Sequence, residues 1–238
     1  NCASNYAKNA VFSGGKDGKD EPKMAFTVHA VMPGVWHIVD CMGVCMTLLE
    51  GENAAMLVDT GYGIEDVADF MRHMTDLPLT VFLTHNHHDH ALGARCFPKT
   101  YMLEADMADW RMFTDDKMRR RVLTQAIGKN LPVDEKTFLA GEIPLPKVMK
   151  PGVIDLGGLT AEIIEAPGHT PGSAVVYVPE RKLLLSGDDW NPCTWLFFPQ
   201  ALGLREYRSN MRGIQQLPFE KVLCPHREAL YDLSLIHI

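Results

Sequence analysis

Histidine and aspartate are concentrated between positions 85 and 90, where the sequence reads HNHHDH. Imidazole nitrogens and carboxylate oxygens are ligands that Zn²⁺ readily accepts. In an extended segment, residues two apart point to the same side, so His85 and His87 can bind one ion. Asp89 and His90 follow directly and can serve a second ion, whereas His88 falls on the side opposite His87. The spacing therefore predicts a metal site.

Three later residues can complete this site. His169 lies in the segment 167–172, where two prolines and two glycines can hold one side chain in a fixed place. Asp188 follows Gly187 at the end of an apolar run, and the two oxygens of its carboxylate can bridge two ions. His226 ends the last predicted strand. Alone, His169 and His226 would be interpreted as packed or surface histidines, and only the other motifs favour a metal role.

The elements that position these residues can be predicted from the spacing of apolar residues. Short runs rich in β-branched residues and bounded by Gly or Pro are typical of strands. They cover Thr27–Met32, Val35–Asp40, Val44–Glu50, Ala54–Asp59, Leu79–Thr84, Leu159–Ala166, Ala174–Val178, Leu183–Ser186 and Lys221–Cys224. Apolar residues at helical spacing predict helices over Ile64–Met74, Ala91–Cys96 and about Glu206–Gln216.

The two halves of the chain show a weak internal similarity. In each half a strand, a helix and a second strand are followed by a candidate ligand, His85 in the first and His226 in the second. Functional groups of α/β sheets lie at such strand ends. The pattern predicts two similar βα halves packed face to face, with the helices outside.

The segment from about 101 to 150 lies between the metal motifs and is predicted to be a helical insert. It is rich in Met, Trp and Phe, and placed over the metals it would form an apolar lid. The candidate pocket residues are Trp110, Met112 and Trp190. Trp195, Phe197 and Phe198 also follow Asp188 closely, and both pocket lining and core packing are open for them.

The insert also contains three consecutive arginines, Arg119, Arg120 and Arg121, which could bind a phosphate or carboxylate. Consecutive residues point to different sides of a helix rather than converging. We therefore favour an exposed helical turn over an anion site.

Composition limits the classes of partner. The chain has 238 residues, of which 46% are hydrophobic and 22% charged, and its net charge is −7. This balance is typical of a globular protein and argues against nucleic acid and anionic membranes as partners. No apolar run reaches the 18 residues of a membrane span. Six scattered cysteines without a C-x-x-C pair, and no signal-like apolar segment, favour a reducing, cytoplasmic location.

The predicted organisation is one domain over residues 24–238, preceded by a polar, disordered leader over 1–23. The ending Leu233–Ile238 resembles translated adapter sequence, so we expect a truncated C-terminus.

These motifs, taken in order, resemble those of the metallo-β-lactamase superfamily: H-x-H-x-D-H at 85–90, P-G-H-T-x-G at 167–172, S-G-D at 186–188 and a late histidine. The resemblance covers about residues 27–226 and implies an α/β fold, the four-layer αβ/βα sandwich. It implies that His85, His87 and His169 bind one metal, that Asp89, His90 and His226 bind the other, and that Asp188 bridges them. It also implies that Asp59 orients the ligands from behind, whereas Asp189 is interpreted as a supporting acid or cap.

Asp188 and His87 distinguish branches of this superfamily. Its antibiotic-degrading members usually carry Cys or Ser at the position of Asp188, and its flavodiiron oxidoreductases usually carry Glu at that of His87. The pattern is similar to that of the glyoxalase-II-like and lactonase-like branches. We therefore expect two Zn²⁺ ions, with iron or manganese as alternatives, and hydroxide attack on the acyl carbon of a small thioester, ester or lactone, with Asp89 transferring the proton. A phosphoesterase, a β-lactam hydrolase and a metal-free scaffold protein are the alternatives, and oligomeric state stays open.

Overall fold

The computed structural model describes residues 10–13, 25–191 and 194–232, with side chains from residue 26 onward. Most of the predicted leader and all of 233–238 lie outside the described residues. Within the leader, the four residues Ala10–Ser13 form the first strand, β1, which pairs with β2.

The strands form two sheets. The first has eight strands in the order of the sequence: β1, β2 (Ala25–Met32), β3 (Val35–Val39), β4 (Cys45–Glu50), β5 (Ala55–Val58), β6 (Leu79–Phe82), β7 (Tyr101–Met102) and β8 (Lys147–Val148). The second has six: β9 (Gly152–Asp155), β10 (Thr160–Glu165), β11 (Ala174–Val178), β12 (Leu183–Leu185), β13 (Lys221–Leu223) and β14 (Tyr231–Asp232). Of these, β1, β7, β8, β9 and β14 are not predicted from the sequence, since such short strands carry little periodic signal.

The helices are α1 (Val67–Met74), α2 (His88–Ala91), α3 (Trp110–Thr114), α4 (Asp116–Gly128), α5 (Glu135–Phe138) and α6 (Leu204–Ile214). Three single turns of 3₁₀-helix cover Leu92–Cys96, Glu104–Asp106 and Pro179–Arg181. Helix α1 begins three residues later than predicted, because the Asp66 side chain accepts from the Asp69 N–H and caps it. No helix among the described ranges is long and apolar enough to span a membrane.

The two sheets pack face to face with a helix on each outer side. Between the sheets, Leu49 and Val58 of the first pack with Ile163 and Val176 of the second. Residues adjacent in sequence point the other way, because side chains alternate along a strand. These residues pack against the outer helices. Leu48 and Leu57 of the first sheet pack with Phe70 of α1. Val175 and Leu184 of the second sheet pack with Met211 of α6. The predicted αβ/βα sandwich is confirmed.

The two halves repeat one connection. Strands β5 and β6 are paired in parallel and connected through α1, with Val58 opposite Phe82. Strands β12 and β13 are paired in parallel and connected through α6, with Leu185 opposite Leu223. Parallel strands end at the same sheet edge, so the residues that follow them meet there. The predicted pair of βα halves positions the candidate ligands in this way.

Candidate metal centre

The candidate ligands lie near the carboxyl ends of strands, in loops except for Asp89 and His90, which lie on α2. His85 and His87 follow β6, Asp188 follows β12, and His226 follows β13. His169 lies in the loop from β10 to β11. The structure thus brings all seven predicted ligands together, although they come from both halves of the chain. Gly187, with φ +50°, provides the left-handed turn that aims Asp188 between the two sheets.

One set of ligand atoms, the buried group, comes from His85, His87 and His169. All three side chains are buried, and one nitrogen of each lies within 4.8 Å of the others. His169 Nε2 lies 2.8 Å from His87 Nδ1. Three imidazole nitrogens converging on one point form a site of the type that zinc occupies in hydrolases.

A second set, the open group, comes from Asp89, His90 and His226, whose ligand atoms also lie within 4.8 Å of one another. Asp89 Oδ2 is 3.7 Å from both His90 Nε2 and His226 Nε2. His90 is fully buried, but the His226 side chain is 39% exposed. This set therefore faces the solvent, whereas the buried group does not.

The Asp188 carboxylate lies between the two groups. Its Oδ1 is 3.0 Å from His226 Nε2 and 3.5 Å from His90 Nε2, both of the open group. Its Oδ2 is 3.5 Å from His169 Nε2 of the buried group. Asp188 also joins His85 and His90 in a third set of candidate ligand atoms. One carboxylate thus faces both groups, as a bridging ligand must.

The hydrogen bonds around the cluster leave ligand atoms free for metal. His90 Nδ1 donates to Asp59 Oδ2 at 3.0 Å, and His169 Nδ1 donates to the Trp195 carbonyl at 2.7 Å. Each bond fixes the proton on Nδ1, so that Nε2 carries a lone pair that points into the cluster. Within the described residues, the buried nitrogens His85 Nε2 and His90 Nε2 have no hydrogen-bond partner. Such orphaned polar atoms are costly unless a cation binds them, so the donor set fits metal.

The electrostatics of the two groups differ. Burial lowers the pKa of His85 well below its usual value and that of His87 to about 3, so both are neutral imidazoles. Burial disfavours charge on His90 as well, but the carboxylates of Asp188, Asp89 and Asp59 raise its pKa well above the usual value. Burial opposes charge on Asp188 too, yet its histidine neighbours hold its pKa well below the usual value. The open group therefore favours positive charge, as a cation site does.

Asp59 supports both groups from behind. Besides His90, it accepts from the Thr84 N–H at 2.7 Å and from Thr84 Oγ1 at 3.0 Å. Thr84 Oγ1 in turn lies 3.1 Å from His85 Nδ1. Asp59 has φ +64°, a left-handed conformation that Asp and Asn adopt more readily than other side chains. The residue thus reaches one histidine directly and another through Thr84.

Asp189, next to the bridging residue, has a different partner. Its Oδ1 accepts from the His169 backbone N–H at 2.8 Å, and burial raises its pKa well above the usual value. A protonated carboxyl here can accept this bond without placing a second negative charge beside Asp188. The backbone must lie close for this contact, since a Cβ at Gly168 would come within 2.7 Å of Asp189 Oδ1.

Four residues around the cluster are not among the site residues predicted from the sequence. Phe113 and Phe198 lie on His87, with ring centroids at 4.4 and 4.8 Å. The Gln200 amide lies 2.9 Å from His87 Nε2. Asp106 accepts from the Asn86 N–H, Thr170 Oγ1 and the Gly172 N–H, which ties the loop of His85 to that of His169. Phe113 lies in the predicted lid and Phe198 lies close to Asp188 in sequence, whereas no motif marks Gln200 or Asp106.

The three candidate pocket residues lie in other surroundings. Trp110 is 1% exposed in the core of the insert, and its Nε1 approaches the Ile143 carbonyl at 3.5 Å. Trp190 is also 1% exposed, in the core beneath α6, where it packs on Phe219. Met112 is 54% exposed on α3. Neither tryptophan ring is accessible to a substrate in this arrangement, and their assignment to the pocket stays a prediction.

The three arginines do not converge, as is usual for consecutive helical residues. The predicted exposed turn is wrong for Arg119, which is buried and donates to the carbonyls of Phe138, Ala140 and Gly141. Arg120 is exposed and pairs with Asp116 one turn earlier. The triplet therefore forms no common anion site. His88, expected to point away, lies against Tyr62, with 5.6 Å between ring centroids.

Comparisons with known proteins agree with this architecture. An acyl-coenzyme A thioesterase of Gallus gallus, MBLAC2, is 25% identical over 80% of this chain and 76% of its own length. A metallo-beta-lactamase family protein from Thermus thermophilus superposes with a TM-score of 0.59 at 20% identity, over 87% of this chain and 78% of that one. TTHA1623, solved in a di-iron-bound form, has a TM-score of 0.57 at 23% identity, over 83% and 93% of the two chains.

The sequence profile of one family matches residues 39–226, which include every candidate ligand. Together with the sandwich fold and the His/Asp cluster, this match shows that the chain belongs to the metallo-beta-lactamase superfamily.

Proposed function

We propose that this protein is a dinuclear, zinc-dependent hydrolase that cleaves thioesters, esters or lactones of small, partly apolar acyl compounds. The position of Asp188 carries the proposal. Its two oxygens face histidines of both the buried and the open group. This arrangement supports two ions per chain rather than one.

Two ions held here would lower the pKa of a shared water toward about 7 and polarise a substrate carbonyl. The orientation of the Asp89 carboxylate bears on the proton transfer in this reaction. Asp89 Oδ2 faces His90 and His226, whereas Asp89 Oδ1 lies on the other side, 3.8 Å from His88 Nδ1. Asp89 lies among the open-group ligands, and we propose its carboxylate as the acceptor of the proton from the attacking water. The half-exposed His226 leaves the open group accessible to a small-molecule substrate.

Three observations support acyl substrates. An aspartate rather than Cys or Ser stands at position 188, and the relative from Gallus gallus is named as an acyl-coenzyme A thioesterase. The arginines that could have favoured a phosphate ester do not share a common site. Hydrolysis adds water across the acyl bond: the acyl carbon gains the oxygen, and the thiol or alcohol leaves with a proton.

Metal content tests the site itself. Protein purified without chelator should contain close to two ions per chain by elemental analysis, mainly zinc. Because one similar structure is a di-iron form, iron and manganese should be measured in the same sample. A content near zero, with no uptake of any of the three metals on dialysis, would contradict the dinuclear site.

Substrate class is tested separately on the loaded protein. We expect kcat/KM for an acyl thioester or lactone to exceed that for a phosphodiester or a β-lactam by at least tenfold. A higher value for the phosphodiester would make the protein a phosphoesterase with the same metal site.

A further inference from the structure

Three aromatic side chains form a continuous surface beside the metal cluster. We call Trp195, Phe197 and Phe198 the aromatic shelf. Their ring centroids lie 5.2 Å (Trp195–Phe197), 4.9 Å (Phe197–Phe198) and 6.3 Å (Trp195–Phe198) apart. The three ring planes are inclined by only 31–37° to one another. Neighbouring rings at these distances and angles overlap in offset stacks, so the three side chains form one contiguous aromatic cluster.

The shelf is exposed to water. Trp195 is 53% and Phe197 70% exposed, and they are the only aromatic side chains among the large apolar residues exposed in the described ranges. Leaving such area in contact with water costs free energy that a bound apolar group would recover. The exposed rings thus offer an apolar surface on which a bound apolar group would be stabilised.

The shelf is directly continuous with the ligands of the buried group. Phe198 lies 4.8 Å from His87 and 5.6 Å from His169, measured between ring centroids. The Trp195 carbonyl accepts the hydrogen bond from His169 Nδ1. An occupant of the shelf consequently reaches the metal cluster at one end and solvent at the other. The open group carries the carboxylate of Asp89 and the exposed His226, surroundings that suit polar groups.

We propose that the aromatic shelf binds the aliphatic chain of the acyl group, so that the protein prefers medium-length unbranched acyl chains over acetyl. The inference rests on the proposed acyl hydrolysis, because the carbonyl must lie at the cluster while its chain extends along the nearest apolar surface. Chain length is then selected by how many methylenes the three rings cover.

Binding tests the shelf without turnover. The probes are uncharged thioethers of N-acetylcysteamine with butyl, hexyl, octyl or decyl chains, which the enzyme cannot hydrolyse. Trp195 is an exposed tryptophan, so its emission should shift to the blue when a chain covers it. We expect affinity to rise about twofold per methylene. This is ~0.4 kcal/mol, half of the value for full burial, because the shelf covers one side of the chain.

Phe197→Ala is the decisive variant, because the ring contacts that hold Phe197 are with the other two shelf rings and not with a candidate ligand. It should weaken octyl-thioether binding about tenfold and flatten the dependence on chain length. Val153→Ala, an equally exposed apolar residue on β9, should leave binding unchanged. The shelf is refuted if affinity does not depend on chain length, or if the two variants behave alike.

Hydrolysis of acetyl and octanoyl thioesters of N-acetylcysteamine distinguishes the two proposals. Chain-dependent thioether binding without hydrolysis would refute the proposed function and leave the shelf in place. If wild type and Phe197→Ala both hydrolyse the acetyl and octanoyl thioesters with the same kcat/KM, the proposed function stands and the binding of the acyl chain by the shelf is refuted. Self-association by sedimentation that Phe197→Ala abolishes, with no thioether binding, would refute acyl binding and show that the shelf instead contacts a second copy of this chain.

Discussion

The buried and open groups of the metal cluster stand at the same sheet edges but in different surroundings. The buried group has three buried imidazoles, of which His85 and His87 are held neutral, whereas the open group has a carboxylate, a charge-favouring His90 and the exposed His226. Enclosure by protein suits retention of an ion, and an accessible group suits exchange and substrate approach. If both groups bind metal as proposed, we expect the buried group to hold its ion more tightly and the open group to exchange its ion more readily.

The largest effect should come from the residue that the two groups share. Asp188→Ala removes a ligand from both and should lower kcat/KM by well over 100-fold, beyond the 10- to 100-fold typical of an outer partner. Metal content should fall in both groups. Asp189→Asn is the matched control: it keeps an oxygen for the His169 N–H, and burial, which raises the pKa of the Asp189 carboxyl well above its usual value, already disfavours a charge there. Equal losses in the two variants would assign the bridging role to the wrong aspartate.

Substitution of Asp59, which contacts His90 directly and His85 through Thr84, tests whether the metal affinity of both groups depends on this residue. Asp59→Asn should reduce metal affinity about 10- to 100-fold, because the carboxylate that holds His90 and Thr84 loses its charge. Asn tolerates the left-handed conformation, so folding stability should change little. Competition with a chromogenic chelator gives the affinity, and urea unfolding of the metal-free protein gives the stability.

Asp59→Ala is the companion variant, with the same loss of contacts plus strain at φ +64°. It should also lower the free energy of unfolding by about 1 kcal/mol. Wild-type metal affinity in both variants would show that Asp59 has no part in holding the ligands.

The segment that carries His226 of the open group should be sensitive to acid, because a histidine outside the cluster is hydrogen-bonded to it. His37 is buried, and its Nε2 donates to the carbonyl of Arg227, the residue after His226. Burial lowers its pKa from 6.5 to about 4, so the folded protein holds it neutral while the unfolded chain takes up a proton below pH 6.5. Its contribution to stability is complete above pH 6.5 and is lost as the pH falls toward 4. The loss between about pH 7 and about pH 5 should be about 2 kcal/mol.

Urea unfolding of the metal-free protein at several pH values measures this loss. His37→Gln should show a shallower decline below pH 6.5 than wild type, whereas replacement of the exposed His73 by Gln should not. Parallel pH profiles for all three proteins would exclude His37 as the cause.

Gln200 should give the smallest effect, confined to the buried group. In the orientation found here, the Gln200 amide nitrogen lies 2.9 Å from His87 Nε2. If His87 binds metal through Nδ1, its Nε2 carries the proton, and the Gln200 amide must be flipped so that its oxygen accepts this proton. Gln200→Ala should then weaken metal at the buried group about tenfold, while Gln200→Glu keeps an acceptor and should restore most of the affinity. Stepwise chelation should show the change only in the more tightly held ion. A change in the weaker ion instead would reverse the assignment of the two groups.

Local motifs of the sequence, together with the family resemblance that they carry, predict the candidate ligands and the class of fold. The positions of His85, His87, Asp89 and His90 follow from their spacing, and periodicity locates the long strands and the helices α1 and α6. The reason is that both signals act over short separations along the chain, where strand and helix geometry alone fixes the direction of each side chain.

Only the tertiary structure decides what surrounds those ligands. Gln200 meets His87 across 113 positions, and Asp106 joins two loops that are 66 and 20 positions away from it. Trp110, Phe113 and Arg119 belong to one insert, yet the first packs in its core, the second lies on His87 and the third binds backbone carbonyls. Composition and spacing do not determine which surface such a side chain contacts, because they are identical for every orientation of the side chain. The choice depends on which distant surface becomes its neighbour when the two sheets close, and burial against that surface provides the free energy that settles it.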